Sequence, residues 1–208
     1  FALTSARANG DGSVDDHTHS SALHRRRLAD YTGQALGVFI VQLPGHYMSL
    51  TVHVDTGNTL AISGVVDAAG EFPVFEAPNN DSNRHRHFVV KVGGTLSLER
   101  LTMKKGSTTI QFSGGSSGPD NRGGSIYAMG IVNLASIFYD GCTVPTGSGN
   151  QECAIYGGAI AAEGMDSSLS IRDSTFRACT ASWNGGAILV RDIKRLDITN
   201  TLFQGNKV

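Results

Sequence analysis

The sequence predicts an all-β fold made of short strands stacked as a β-solenoid. Three observations predict it. A Gly-Gly-Ala-Ile word occurs twice, at residues 157–160 and 185–188, and each copy is followed by Leu-x-Ile-x-x-(Ser/Thr)-x-Phe, at 169–176 and 196–203. The first glycines lie 28 residues apart and the leucines 27; a fixed period of about 20 to 50 residues marks stacked repeats. Within the second word Leu169, Ile171 and Leu196, Ile198 alternate with polar residues, which is the period of a strand and not of a helix. One such repeat cannot bury its own apolar side. Stacking puts Phe176 under Phe203, Ile160 under Ile188 and Leu169 under Leu196, with Ile126 and Phe138 extending the columns one coil earlier.

Taken in order, residues 1–19 are polar and aperiodic and read as a flexible or surface-draped arm. Residues 20–36 (SSALHRRRLADYTGQAL) hold helix formers behind a Ser cap and predict a short capping helix. Such a helix would cover the open end of the stack, where a bare strand edge invites pairing with other chains. Residues 37–208 then supply the coils. Strands are expected at 38–43, 50–54 and 59–62, with Pro44-Gly45 and the 55–58 segment turning the chain. Residues 67–87 read as a polar loop whose Arg84-His-Arg-His87 end is solvated, with a small anion patch as the rival. Strands follow at 88–92, 95–103 and 108–112, with Leu96, Leu98 and Leu101 pointing inward. Residues 113–122 are a Gly/Ser-rich surface loop, and Gly123-Gly-Ser-Ile126 opens a further coil that ends at Phe138.

The GGAI…LxIxxSxF…N pattern resembles the repeats of chlamydial polymorphic outer-membrane proteins and related pectin-lyase-like chains. The resemblance is clearest over 88–208 and fainter over 35–75. It implies a right-handed parallel β-helix. It implies little about activity, since the same coil carries lyases, hydrolases, adhesins and inert scaffolds.

Composition narrows the function. Net charge is −1 and charged residues make up 17%, so neither nucleic acid nor an anionic membrane surface would be steered to the chain. No apolar run reaches transmembrane length. The 26 glycines suit a chain that turns every few residues. The first residue is Phe1 and the last coil stops at 202–208 without another Gly-Gly word, so the chain reads as a processed form or a piece of a larger assembly.

Three cysteines occur, Cys142, Cys153 and Cys179. Aligning Phe138 with Phe176 leaves about ten extra residues, 143–152, between Cys142 and Cys153. A Cys142–Cys153 disulfide closing that loop is expected, with Cys142–Cys179 as the rival and three reduced thiols as the plain alternative. A disulfide would imply an oxidising compartment: secreted, cell-surface or luminal. No zinc-ligand spacing is present, and the scattered His17, His19 and His24 are not read as a metal site.

For catalysis the candidates are Asp173, Asp192 and Asp197 with Arg172, Arg191, Lys194 and Arg195. Their repeat positions do not stack carboxylates, and Glu163 and Asp166 facing the basic residues read as surface pairs. No catalytic residue, cofactor or metal is assigned. The expectation is a non-catalytic β-helix scaffold or adhesion module that binds protein subunits or surface glycan. The alternative is a polysaccharide lyase or glycoside hydrolase.

Overall fold

The computed structural model describes residues 4–5, 36–42, 46–47, 51–77, 79–80, 83–84, 86–107, 122–142, 156–181 and 184–208. The described residues form an all-β structure in which nearly every strand pair is parallel. Among the described residues eighteen strands follow one another: β1 (Thr4–Ser5), β2 (Leu36–Gln42), β3 (His46–Tyr47), β4 (Val52–Val54), β5 (Thr59–Val65), β6 (Val74–Glu76), β7 (Asn79–Asn80), β8 (Asn83–Arg84), β9 (Phe88–Val90), β10 (Thr95–Lys104), β11 (Ile126–Ala128), β12 (Ile131–Asp140), β13 (Ile160–Glu163), β14 (Ser168–Arg172), β15 (Thr175–Arg177), β16 (Ile188–Arg191), β17 (Arg195–Thr199) and β18 (Leu202–Gln204).

The chain runs through these strands in successive passes, and each pass lies in register on the one before. The larger sheet runs β1-β2-β5-β10-β12-β14-β17; the long strands β10 and β12 carry a second ladder with β3, β6, β15 and β18. The smaller parallel sheet runs β4-β9-β11-β13-β16. Because Cβ atoms alternate along a strand, each ladder has an inward and an outward row. The inward rows are Leu96–Val132–Leu169–Leu196 and Leu98–Leu134–Ile171–Ile198 in the larger sheet, and Phe88–Ile126–Ile160–Ile188 in the smaller one. Side chains from both sheets meet in one apolar core.

The Gly-Gly word has a steric cause at each position. Gly123, Gly157 and Gly185 all have φ between 63° and 67°, where an L side chain is strained. Gly124 and Gly158 face the next pass instead. A Cβ at Gly124 would stand 2.4 Å from Gly158 O, and one at Gly158 would stand 2.1 Å from Gly186 O. The word therefore lets one backbone lie directly on another.

One column differs from expectation. Phe138 is paired with Thr175, and Tyr139 with Phe176. The inward aromatic column is thus Tyr139–Phe176–Phe203, with ring centroids 4.6 and 5.1 Å apart and planes within 11° of parallel. Phe138 faces outward, where Arg177 lies 5.0 Å over its ring. Alignment by residue type slipped by one because Phe and Tyr stand side by side, and a one-residue slip exchanges the two faces of a strand.

Other differences lie near the beginning of the chain. Thr4–Ser5, within the expected flexible arm, pairs antiparallel with β2 at Ile40 and Phe39. Residues 20–35 of the expected capping helix lie outside the described residues, and Leu36 opens a strand. The expected polar loop at 67–87 contains β6, β7 and β8. The expected strand at 108–112 lies outside the described residues.

Candidate functional site

The outward face of the larger sheet carries the most regular polar surface. In five stacked strands the residue between two inward aliphatic residues points out, so Ala61, Ser97, Asn133, Ser170 and Asp197 form one row. A second row two residues on holds Ser63, Glu99, Ala135, Arg172 and Thr199. Short side chains in the middle and longer ones at the rim leave a shallow groove of about 530 Å³, lined by Ser63, Ser97, Glu99, Asn133, Ser170 and Arg172 among others.

Its polar groups are partly fixed by one another. Asn133 Nδ2 donates to Ser97 Oγ at 3.3 Å, and Arg100 Nη2 donates to Ser63 Oγ at 2.7 Å. Neighbouring strands lie roughly 4.8 Å apart, so hydroxyl and amide groups recur at that interval between Glu99 and Arg172. Such a surface can hydrogen-bond a polar, hydroxyl-rich chain laid across the strands. Beside it the backbone bends at Arg100, Ser136, Asp173 and Asn200, all with φ between 46° and 55°. Asn200 Nδ2 donates to Asp173 Oδ1 at 2.7 Å along that corner.

The outward face of the smaller sheet is built differently. Val89, Tyr127 and Ala161 stand in register and are buried although they point away from the main core. At their edge the Glu163 carboxylate accepts from Arg122 Nη1, and from Arg191 Nη2 at 3.2 Å. The Glu163 side chain is 7% exposed and that of Arg122 13%. Of the expected surface pair, the Glu163 carboxylate is therefore enclosed while Arg191 stays at the solvated edge, and Arg122 is the enclosed second cation. Arg122 also lies 5.9 Å over the Tyr156 ring, and Arg86 lies 5.6 Å over Tyr127. Burial, then the neighbouring Glu163 charge, raises the Tyr127 pKa.

A third polar group is sealed in the interior. His87, expected at a solvated loop edge, is 0% exposed. Its Nδ1 lies 2.9 Å from Ser125 Oγ and its Nε2 lies 3.2 Å from Phe75 O. Burial lowers its pKa to about 4, so the ring is neutral at pH 7. A neutral imidazole has one donor and one acceptor, which matches a carbonyl on one side and a hydroxyl on the other. Arg86, next in sequence, turns outward and donates from Nε to Arg122 O at 2.9 Å and to Gly123 O at 3.1 Å.

The catalytic candidates are not brought together. Asp173 sits at the bent corner and Asp197 in an outward row, where Arg195 is its ion-pair partner. Asp192 lies on a separate positive-φ turn. Among the described residues no group of three His, Cys, Asp or Glu side chains is placed to hold a metal ion, and no helix is long and apolar enough to cross a membrane. Cys142 is a free, buried thiol next to Cys179, while Cys153 lies outside the described residues.

Arg122 and Tyr127 were missed by sequence reasoning, yet the repeat carries a signal for the first. Arg122, Tyr156 and Asn184 each precede a Gly-Gly pair, and they stack in register. Nothing in the local sequence marks Glu163 as the partner of Arg122. No protein-family model, curated protein or solved structure matches the chain.

Proposed function

We propose that the passes are coils of a right-handed parallel β-helix, and that this helix is a non-catalytic scaffold or adhesion module. The in-register inward columns carry the reading: every described pass from β5 onward repeats the same rows, so the chain's regularity is spent on a stiff stack. Handedness follows from the strong preference of parallel crossovers for the right-handed sense. The outward face of the larger sheet is the binding surface of this reading. Its Ser97–Asn133–Ser170 row, with Glu99 and Arg172 at the rim, fits a surface glycan or an extended polar segment of a protein subunit. We place the module in a secreted, cell-surface or luminal assembly.

Glycan-array binding of the chain and of an Asn133→Leu/Arg172→Ala variant tests this. Retention of neutral or acidic glycans by the parent, reduced about tenfold or more in the variant, is the expected result; one lost bidentate or charge-assisted contact is worth roughly that much. Depolymerisation of uronate polymers by the purified chain would move it to the lyase and hydrolase class.

A further inference from the structure

Cys142 and Cys179 occupy the same position in adjacent passes. Each lies three residues after a member of the aromatic column, Tyr139 and Phe176, and those two rings stack at 4.6 Å. The register continues past the strands: Gly141 N donates to Arg177 O at 3.0 Å, and Thr180 N donates to Cys142 O at 3.2 Å. Both cysteines are 0% exposed and belong to the same core. Neighbouring parallel backbones stand roughly 4.8 Å apart, inside the window of about 4.4–6.8 Å between the Cα atoms of a disulfide.

We infer that Cys142 and Cys179 form a disulfide that clasps one pass of the stack to the next as the chain folds in the presence of a small-molecule or protein disulfide. This inference stands on register and does not depend on the function proposed above. With glutathione disulfide as the oxidant, one cysteine thiolate attacks a glutathione sulfur and releases one glutathione thiolate. The second cysteine thiolate then attacks the protein sulfur of the mixed disulfide and releases the second glutathione. The cysteine pair loses two protons and two electrons, and the oxidant's sulfur–sulfur bond becomes two thiols. Cys179 is the better attacking sulfur: its pKa is lowered, first by a hydrogen bond from Cys142, whereas that of Cys142 is raised, first by Cys179 and then by burial.

Access has a structural route. The pass formed by residues 184–208 covers Cys179: Asn206 Oδ1 accepts from Cys179 N at 2.9 Å, and Lys207 N donates to Cys179 O at 2.9 Å. Inward residues of that pass, such as Phe203 at 44% and Leu196 at 45% exposure, are only half covered. A weakly packed edge element opens at lower free energy than the core. Oxidant therefore reaches the pair before the pass of residues 184–208 docks on it, and the closed bridge is shielded from reductant.

The test is refolding of the full chain and of a Cys153→Ser variant in a glutathione redox buffer, followed by digestion with trypsin and a protease that cuts after Glu152. Expected for both proteins is a Cys142 peptide joined to a Cys179 peptide, roughly 2 Da lighter than the sum of the free thiol peptides. In the Cys153→Ser variant the oxidised form should melt on the order of 5–10 °C above the reduced form, since a loop of about 37 residues is closed. A Cys142–Cys153 or Cys153–Cys179 link in the parent would overturn the inference. So would free thiols at both positions in the folded, oxidised variant.

Discussion

Two neighbouring passes carry the same word and end in opposite environments. In the pass through β14 and β15, Leu169 and Ile171 are 1% exposed and Phe176 is fully buried. In the pass through β17 and β18, the equivalent Leu196, Ile198 and Phe203 are 39–45% exposed. Backbone geometry is shared: Asp173 and Asn200 both bend at positive φ, and Gly157 and Gly185 turn alike. The word therefore specifies the path of the chain, while burial comes from the pass stacked on it. Hydrophobic stabilisation scales with area removed from water, so two equal sequences contribute unequally.

The largest expected effect tests that inequality directly. Phe176→Ala empties a site closed on both sides, between Tyr139 and Phe203, and should cost about 4 kcal/mol. Phe203→Ala removes a ring that is 44% exposed and should cost about 1 kcal/mol. Urea unfolding of the two variants measures both, and equal losses would mean that the pass through β17 and β18 is as closely packed as its neighbour.

A smaller contrast uses one carboxylate and two arginines. Glu163 binds Arg122, whose side chain is 13% exposed, and Arg191, whose side chain is 57% exposed. Arg122→Gln leaves Glu163 enclosed with a weaker partner and should destabilise by about 3 kcal/mol. Arg191→Gln, at the solvated edge, should cost less than about 1 kcal/mol. Thermal melts of the two variants at low and high salt check the difference, since only the exposed pair is strongly screened.

A further effect lies wholly in the inner passes and depends on pH. His87 has a folded pKa of about 4, below the ordinary value of 6.5. As pH falls below 6.5 the unfolded chain takes up a proton that the folded chain refuses until about pH 4, so folding stability declines through that window. About 2 kcal/mol should be lost between pH 7 and pH 5. His87→Gln should flatten that part of the stability–pH curve, and an unchanged slope would place the loss elsewhere.

Much of the fold was legible because a repeat compares itself with its neighbour. The spacing of Gly-Gly pairs gave the smaller sheet's rows, Ile126–Ile160–Ile188, and the Leu-x-Ile word gave the Leu169–Leu196 row. The outward groove was not read from the sequence, although Ser170 in it is the x position of a Leu-x-Ile word. Phe138 failed the same comparison because an aromatic neighbour offered two alignments, and only the hydrogen-bond register separates them. The same slip set Cys142 one residue out of line with Cys179, so their pairing stood only as the rival to Cys142–Cys153. His87 was misread because two histidines alternating with two arginines look solvated, and the Ser125 hydroxyl that satisfies it is 38 residues away.

By itself the sequence determined the all-β character, the repeat length and which residues could face inward, since these depend on local periodicity and on where glycine is sterically required. Tertiary structure alone decided which column each aromatic joins and that the enclosed Glu163 carboxylate meets two arginines. Those outcomes depend on contacts between residues one or more passes apart, and the energy of such contacts is set by what lies on the other side of the strand.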